Sequence, residues 1–152
     1  MSGLIYNTPS QIIRQLMIDL SLGADGGTTW PVFVGQQPDA PDDSIVVFDT
    51  APKLDGRLMV SGEVVETYGI QIRVRARDQQ TGQVKASLIA DTLDKNSHLA
   101  SITVEDSEEY GTGNNSYLMY CLDRRSGPFA LKDPDREWFY FTINYLANLA
   151  VA

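Results

Sequence analysis

The chain of 152 residues holds one cysteine, Cys121, and one histidine, His98. So thin a supply of sulfur and imidazole argues against a zinc site, a Cys–His dyad or a Ser–His–Asp triad built within one chain. A lone cysteine forms no intramolecular disulfide, and the apolar run around Cys121 predicts a buried small hydrophobe. Nowhere do about eighteen uncharged apolar residues run together, and the N-terminus lacks the basic and apolar regions of a signal peptide, so a soluble protein made in the cytoplasm is expected. Cations are scarce too, with twelve Lys+Arg against twenty Asp+Glu and a formal charge of −8. A surface of that sign repels phosphate, which excludes a general nucleic-acid binder. Repeats, low-complexity tracts and linkers are all lacking, so residues 1–152 read as a single domain.

What is present is an ordinary globular composition, 43% apolar and 21% charged, with enough chain to bury about 68–70% of its unfolded surface. Thr8-Pro9-Ser10-Gln11 announces a helix through a capping hydroxyl, a proline at the first helical position and a glutamine able to reach back. Ile12, Ile13, Leu16 and Leu20 share one of its faces, and Gly23 with Gly26 and Gly27 ends it. Residues 29–34 read as a short strand in which Pro31 requires an edge or a beginning. Residues 44–49 are a nearly continuous apolar strand. Asp55-Gly56 predicts a tight turn whose flanks protrude as a hairpin. Tyr68, Ile70, Ile72, Val74 and Ala76 then alternate with Gln71, Arg73, Arg75 and Arg77, so one side of this strand is core and the other cationic. Asp78 to Gly82 closes it, and a second amphipathic helix runs from Gln83 to about Leu93 through Val84, Leu88, Ile89 and Leu93. Strands resume at Ile102 to Val104, at Tyr117 to Leu122 and in the aromatic run from Trp138 to Leu146.

The acidic residues Glu105, Asp106, Glu108 and Glu109 invite a calcium or paired-carboxylate reading, but the spacing is not that of an EF-hand. A solvated or interface-facing acidic turn suits them better. Gly23, Gly26 and Gly27 follow a helix instead of joining a strand to one, so they are a cap and turn and not a phosphate cradle. Arg73, Arg75 and Arg77 project from one strand face about 7 Å apart. They are either a plain exposed face or, beside Trp138 and Tyr140 or Tyr117 and Met119 of the closing strands, the residue mixture enriched at protein–protein interfaces. In the second case they meet the Glu105 to Glu109 segment of a sister copy, a local attraction that offsets the mutual repulsion of acidic subunits. An enzyme reading, a small acidic hydrolase or isomerase, would rest on Asp78 with Asp123 or on the acidic cluster, and requires a deep apolar pocket with a carboxyl of raised pKa.

Taken in order, the N-terminal helix, the Trp30-Pro31-Val32-Phe33-Val34-Gly35-Gln36-Gln37-Pro38 segment, Ile45 to Thr50, the long hairpin, Tyr68 to Asp78 leading into the second helix, and the closing Phe139 to Leu146 resemble the small tail terminator, or tail completion, proteins of long-tailed bacteriophages. The resemblance implies an α+β fold, a mixed and mostly antiparallel sheet with two helices on one face and a long protruding hairpin loop. It implies a ring of subunits, six in such proteins, that caps the tail tube, stops its polymerisation and offers a docking surface to the filled head. The implied partners are sister copies, the tail tube protein and a head–tail connector or stopper protein. DNA only passes through the ring, and neither membrane, metal, cofactor nor catalysis is involved. The implied location is the head-proximal end of the virion tail, after assembly in the host cytoplasm. Within that frame Leu54, Arg57, Leu58, Met59 and Val60 are a finger touching tube or neighbour, or else a mobile loop. Arginines lining the hole would grip DNA, so the subunit interface is the better place for them. A head-side connector or stopper and a tube subunit are the alternatives inside the same setting, a tube subunit extending without limit where a terminator closes.

Overall fold

A computed structural model describes residues 7–57, 64–96, 100–104 and 115–151. Along the chain come helix α1 (Pro9–Asp19), strands β1 (Val32–Val34), β2 (Ser44–Arg57) and β3 (Val64–Ala76), helix α2 (Gln79–Lys95), and strands β4 (Ala100–Val104), β5 (Asn115–Lys132) and β6 (Phe139–Val151). The strands make one six-stranded sheet in the order β1-β2-β3-β6-β5-β4. The β1–β2 contact is parallel and the other four are antiparallel. Both helices cover one face, as the α+β expectation has it. Helix α1 packs on β1 to β4, and α2 packs on β3, β5 and β6.

Local chemistry starts α1 where the sequence places it. The Thr8 hydroxyl accepts from the Gln11 N–H at 3.3 Å, and the Gln11 side-chain oxygen accepts from the Thr8 N–H at 3.0 Å. Asp49 of β2 accepts from the Ser10 N–H at 2.9 Å and the Ser10 hydroxyl at 2.7 Å, setting a carboxylate at the positive end of the helix dipole. Ile12, Ile13, Leu16 and Met17 are thereby turned inward. They meet Ile45 and Val47 of β2, Ile70, Ile72 and Val74 of β3, and Phe141, Ile143 and Tyr145 of β6 in one buried cluster. Each such side chain contributes about 1.5–3 kcal/mol of hydrophobic stabilisation.

Helix α2 departs from the sequence expectation in start and in face. It begins at Gln79, capped by Asp78, whose carboxylate accepts from the Thr81 N–H at 2.9 Å and the Thr81 hydroxyl at 2.8 Å. Its buried face is Gly82, Ala86, Ile89, Ala90 and Leu93, while Val84 and Leu88 point outward at 61% and 49% exposure. Small residues win this face because the helix lies close to the sheet: a Cβ on Gly82 would collide with the Phe141 ring. Periodicity of large side chains therefore finds Ile89 and Leu93 but misplaces Val84 and Leu88.

Three further expectations are corrected. Asp55-Gly56 is not a turn but part of β2, with Gly56 opposite Val65 and Arg57 opposite Val64. Strand pairing overrides the dipeptide's turn preference, and a register shift between Leu54 and Gly56 absorbs the mismatch. The link from Arg57 to Val64, with Leu58, Met59 and Val60, lies outside the described residues. Cys121 is exposed, not buried, because a register shift between Met119 and Cys121 breaks the in–out alternation of β5. Finally, β5 does not stop at Leu122 but continues to Lys132 opposite Phe139, and Asp133 N–H closes the hairpin onto the Trp138 carbonyl at 3.0 Å. The Arg125-Ser126-Gly127-Pro128 stretch looks like a breaker. It is carried instead by a register shift between Ser126 and Phe129 and a positive φ of 88° at Gly127.

Candidate functional site

The helix-free back of the sheet gathers the residues that the sequence singles out. Arg73 lies opposite Val46 and Thr142, and Arg75 opposite Ser44 and Tyr140, so the cationic side of β3 is flanked by β2 and β6. The link between β1 and β2, residues 35–43, folds over this side and is fastened there. Arg75, only 2% exposed, donates from Nη2 to the Pro41 carbonyl at 2.7 Å and from Nε to the Asp42 carbonyl at 3.0 Å. Its guanidinium stacks 4.1 Å from the centre of the Trp138 ring. Burial lowers the Arg75 pKa, with Tyr140 and Asp42 opposing that shift.

Arg73 is sandwiched between Phe48 and Tyr140, 5.0 and 4.9 Å from the ring centres. It donates to the Gln37 side-chain oxygen at 3.2 Å, and the Gln37 amide donates to the Ser44 hydroxyl at 2.9 Å. Arg77 stands outermost, its side chain 68% exposed and 3.5 Å from an Asp42 carboxylate oxygen. Trp138 donates from Nε1 to the same carboxylate at 3.0 Å, and Arg136 pairs with Asp39 at 2.8 Å. Arg73, Arg75, Arg77, Trp138 and Tyr140 thus share one place, joined by a partner that sequence reasoning missed, the 35–43 link. Most of the bonding of Arg75 is internal, so its charge faces this link and not the solvent. Tyr117 and Met119 do not belong to this side; they are fully buried, and the Tyr117 hydroxyl donates to the Asn7 side-chain oxygen at 2.7 Å.

A second feature lies beyond the opposite face. Trp30, Asp78, Thr81, Val84, Lys85 and Leu88 line an open groove of about 450 Å³ along α2. Trp30 adopts a φ of +50°, a left-handed conformation that a bulky side chain accepts at a cost of about 1–3 kcal/mol. There its ring underlies the Lys85 ammonium, 5.3 Å away, and burial lowers the Lys85 pKa. The cue for this groove in the sequence is Asp78 three residues before Thr81, a helix cap.

The Asp78 and Asp123 pair of the enzyme reading is not brought together. Asp78 follows the end of β3, where Ala76 pairs with Phe139, whereas Asp123 pairs with Leu146 opposite Gly69. Those positions are separated by the seven steps from Gly69 to Ala76, about 23 Å along a strand. Hydrogen bonds from Thr81 lower the Asp78 pKa, the reverse of what an acid catalyst requires. Asp123 is held by Arg125 at 2.9 Å. Among the described residues no group of three His, Cys, Asp or Glu side chains is placed to hold a metal ion. Glu105, Asp106, Glu108, Glu109 and His98 lie outside the described residues. No helix among them is long and apolar enough to cross a membrane.

Comparison with curated proteins finds no match. The profile of a family described as "Bacteriophage tail terminator protein" matches residues 16–151, from the middle of α1 to the end of β6. The match spans the sheet, the back-face link and the α2 groove together. The chain therefore belongs to the bacteriophage tail terminator family and is a structural protein of the phage tail, a component of the virion that works in contact with other tail or head proteins.

Proposed function

We propose that the chain forms a closed ring, hexameric in number, that caps the head-proximal end of the tail tube, stops tube polymerisation and presents the surface on which the head–tail connector docks. The observation that carries this reading is the family match across residues 16–151. Two features support it. The chemistry gathered on the back of the sheet is that of contact surfaces, arginine with Trp138, Tyr140 and exposed apolar neighbours. The net charge of −8 lets DNA pass a central hole without adhering.

In this reading sister copies cover the back face. Arg77 and the outer parts of Arg73 and Tyr140 are its contact groups, Arg75 and Trp138 stiffen it from beneath, and Glu105, Asp106, Glu108 and Glu109 of a neighbour supply the opposite charge. Leu58, Met59 and Val60, with Leu54 and Arg57, touch tube or neighbour. The chain performs no catalysis in this role. Tails assembled with and without the protein and viewed by negative stain provide the test. Overlong or unfinished tubes that fail to join heads are expected in its absence. Tubes of normal length that join filled heads without it would refute the reading. Leu58→Ser with Met59→Ser should leave the monomer folded and impair capping; unimpaired capping removes the finger from the scheme.

A further inference from the structure

The 35–43 link covers the back face with little apolar material of its own. Its apolar members are Pro38, Ala40 and Pro41, and none of its residues is buried. Beneath it lie Arg73, Arg75, Trp138 and Tyr140, of the residue types that dominate binding energy where proteins meet. The fastening is of one chemical kind. Arg75 is held by the Pro41 and Asp42 carbonyls, Trp138 by the Asp42 carboxylate and Arg136 by that of Asp39. Arg73 is held by the Gln37 side-chain oxygen, and the Arg77 N–H by Asp43 at 3.3 Å. In each of these contacts the link supplies the oxygen. It carries Asp39, Asp42 and Asp43 and neither Lys nor Arg. The link is thus a short acidic peptide bound in cis to a row of cationic and aromatic donors.

We propose that residues 35–43 are a displaceable strap, occupying in cis the site that an acidic segment of a neighbouring copy takes on assembly. The densest acidic stretch of the chain, Glu105, Asp106, Glu108 and Glu109, offers the same chemistry, carboxylate and carbonyl oxygens without a cation. Exchange then replaces one set of oxygen acceptors by another on the same guanidinium groups, and no buried cation is left unpaired, which is the costly outcome. The outer tie is the weak one: Arg136 and Asp39 are both exposed, and ion pairs in such surroundings contribute little. Release starts there and ends at Arg75, whose bonds are the most buried. Before exchange Arg75 and Trp138 only stiffen the face; after it they are contact groups. A strap held by polar contacts, over a patch that would otherwise be sticky, keeps that patch covered until an acidic partner arrives.

The strap rests on the ring reading, and locking it separates the two. In a Cys121→Ser background, Asp39→Cys and Arg136→Cys replace the outer ion pair and are bridged within one molecule by a bismaleimide whose spacer contains a disulfide. Added to tails made without the protein, the bridged chain should be folded and fail to cap, and capping should return when reductant cuts the spacer. Capping by the bridged chain would overturn the strap and leave the ring reading standing. Tails that end at normal length with no protein added would overturn both. Carbodiimide labelling with glycine ethyl ester reads the strap in the unaltered chain: Asp42 should label faster in completed tails than in the free protein, and equal or slower labelling would overturn the exchange. A fluorescent peptide of residues 103–110 is the acidic probe. Asp39→Asn with Asp42→Asn, which loosens the strap, should bind it at least about tenfold more tightly than the bridged chain, because apparent affinity scales with the fraction of molecules whose site is open. Equal affinity of the two would also overturn the proposal.

Discussion

Replacing Arg75 by alanine tests the fastening of the back face. The change deletes two hydrogen bonds from a charged donor, to the Pro41 and Asp42 carbonyls, worth about 1.5–3 kcal/mol each. It also deletes the stacking on Trp138, worth about 1–2 kcal/mol at a desolvated site. Opposing these is the relief of burying a cation, a penalty of several kcal/mol, visible in the lowered pKa of the group. The freed carbonyls belong to a surface link and turn to water, so no orphaned acceptor adds to the loss. A net destabilisation of about 3 kcal/mol results, and for a chain of this size 1 kcal/mol moves Tm by about 2–4 °C, hence a fall of about 6–12 °C. Thermal unfolding followed by circular dichroism measures it, and amide hydrogen exchange should show residues 36–43 losing protection first. Arg77→Ala is the control: its exposed ion pair at 3.5 Å is worth less than about 1 kcal/mol. The reasoning fails if Arg75→Ala costs no more than Arg77→Ala, or if Arg75→Lys, which keeps the charge but loses the fork, is as stable as wild type.

Three other outcomes are expected. Gly82→Ala gains about 1 kcal/mol in helix propensity but drives a methyl into the Phe141 ring, an overpacking cost of about 1–3 kcal/mol; urea unfolding should show a net loss, and a net gain would mean that α2 sits farther from the sheet. Asp78 has a folded-state pKa below its ordinary 3.8, so its contribution is fully present above that value and fades as pH falls through the depressed one. The Tm gap between wild type and Asp78→Ala should be constant at neutral pH and close only in strong acid; a gap that closes above pH 5 refutes the cap. The Tyr145 hydroxyl is buried with no hydrogen-bond partner among the described residues, and burial raises its pKa. Tyr145→Phe should therefore leave stability unchanged or raise it by up to about 1 kcal/mol, and a loss above that would reveal a hidden acceptor.

Legibility in the sequence followed the range of the interactions involved. The α1 cap depends on residues three apart, and Thr8, Pro9 and Gln11 show it directly. The alternation from Ile70 to Ala76 was equally plain, because one side of β3 had to be core. The arginine side was visible as a row, and its aromatic neighbours Trp138 and Tyr140 could be named. What covers it could not, because the bonds from Arg75 to Pro41 and Asp42 span more than thirty residues. The outward placement of Val84 and Leu88 was hidden for a related reason: Gly82 takes the inner stripe because Phe141 comes close, and Ala86 and Ala90 share that stripe with Ile89 and Leu93. Where two local signals competed with pairing, at Asp55-Gly56 and at Gly127-Pro128, the neighbouring strand prevailed and the mismatch survives as a register shift. The same cause misplaced Cys121, since a shift one step earlier in β5 turned it outward.

That outward thiol has a practical meaning for whatever this chain builds. Each copy bears a single sulfhydryl at the surface, so a maleimide dye adds one fluorophore per molecule without engineering. Counting photobleaching steps at the end of one labelled particle then counts molecules. The same sulfhydryl lets two copies couple through air oxidation, so a preparation kept without reductant contains covalent pairs that mimic a natural dimer.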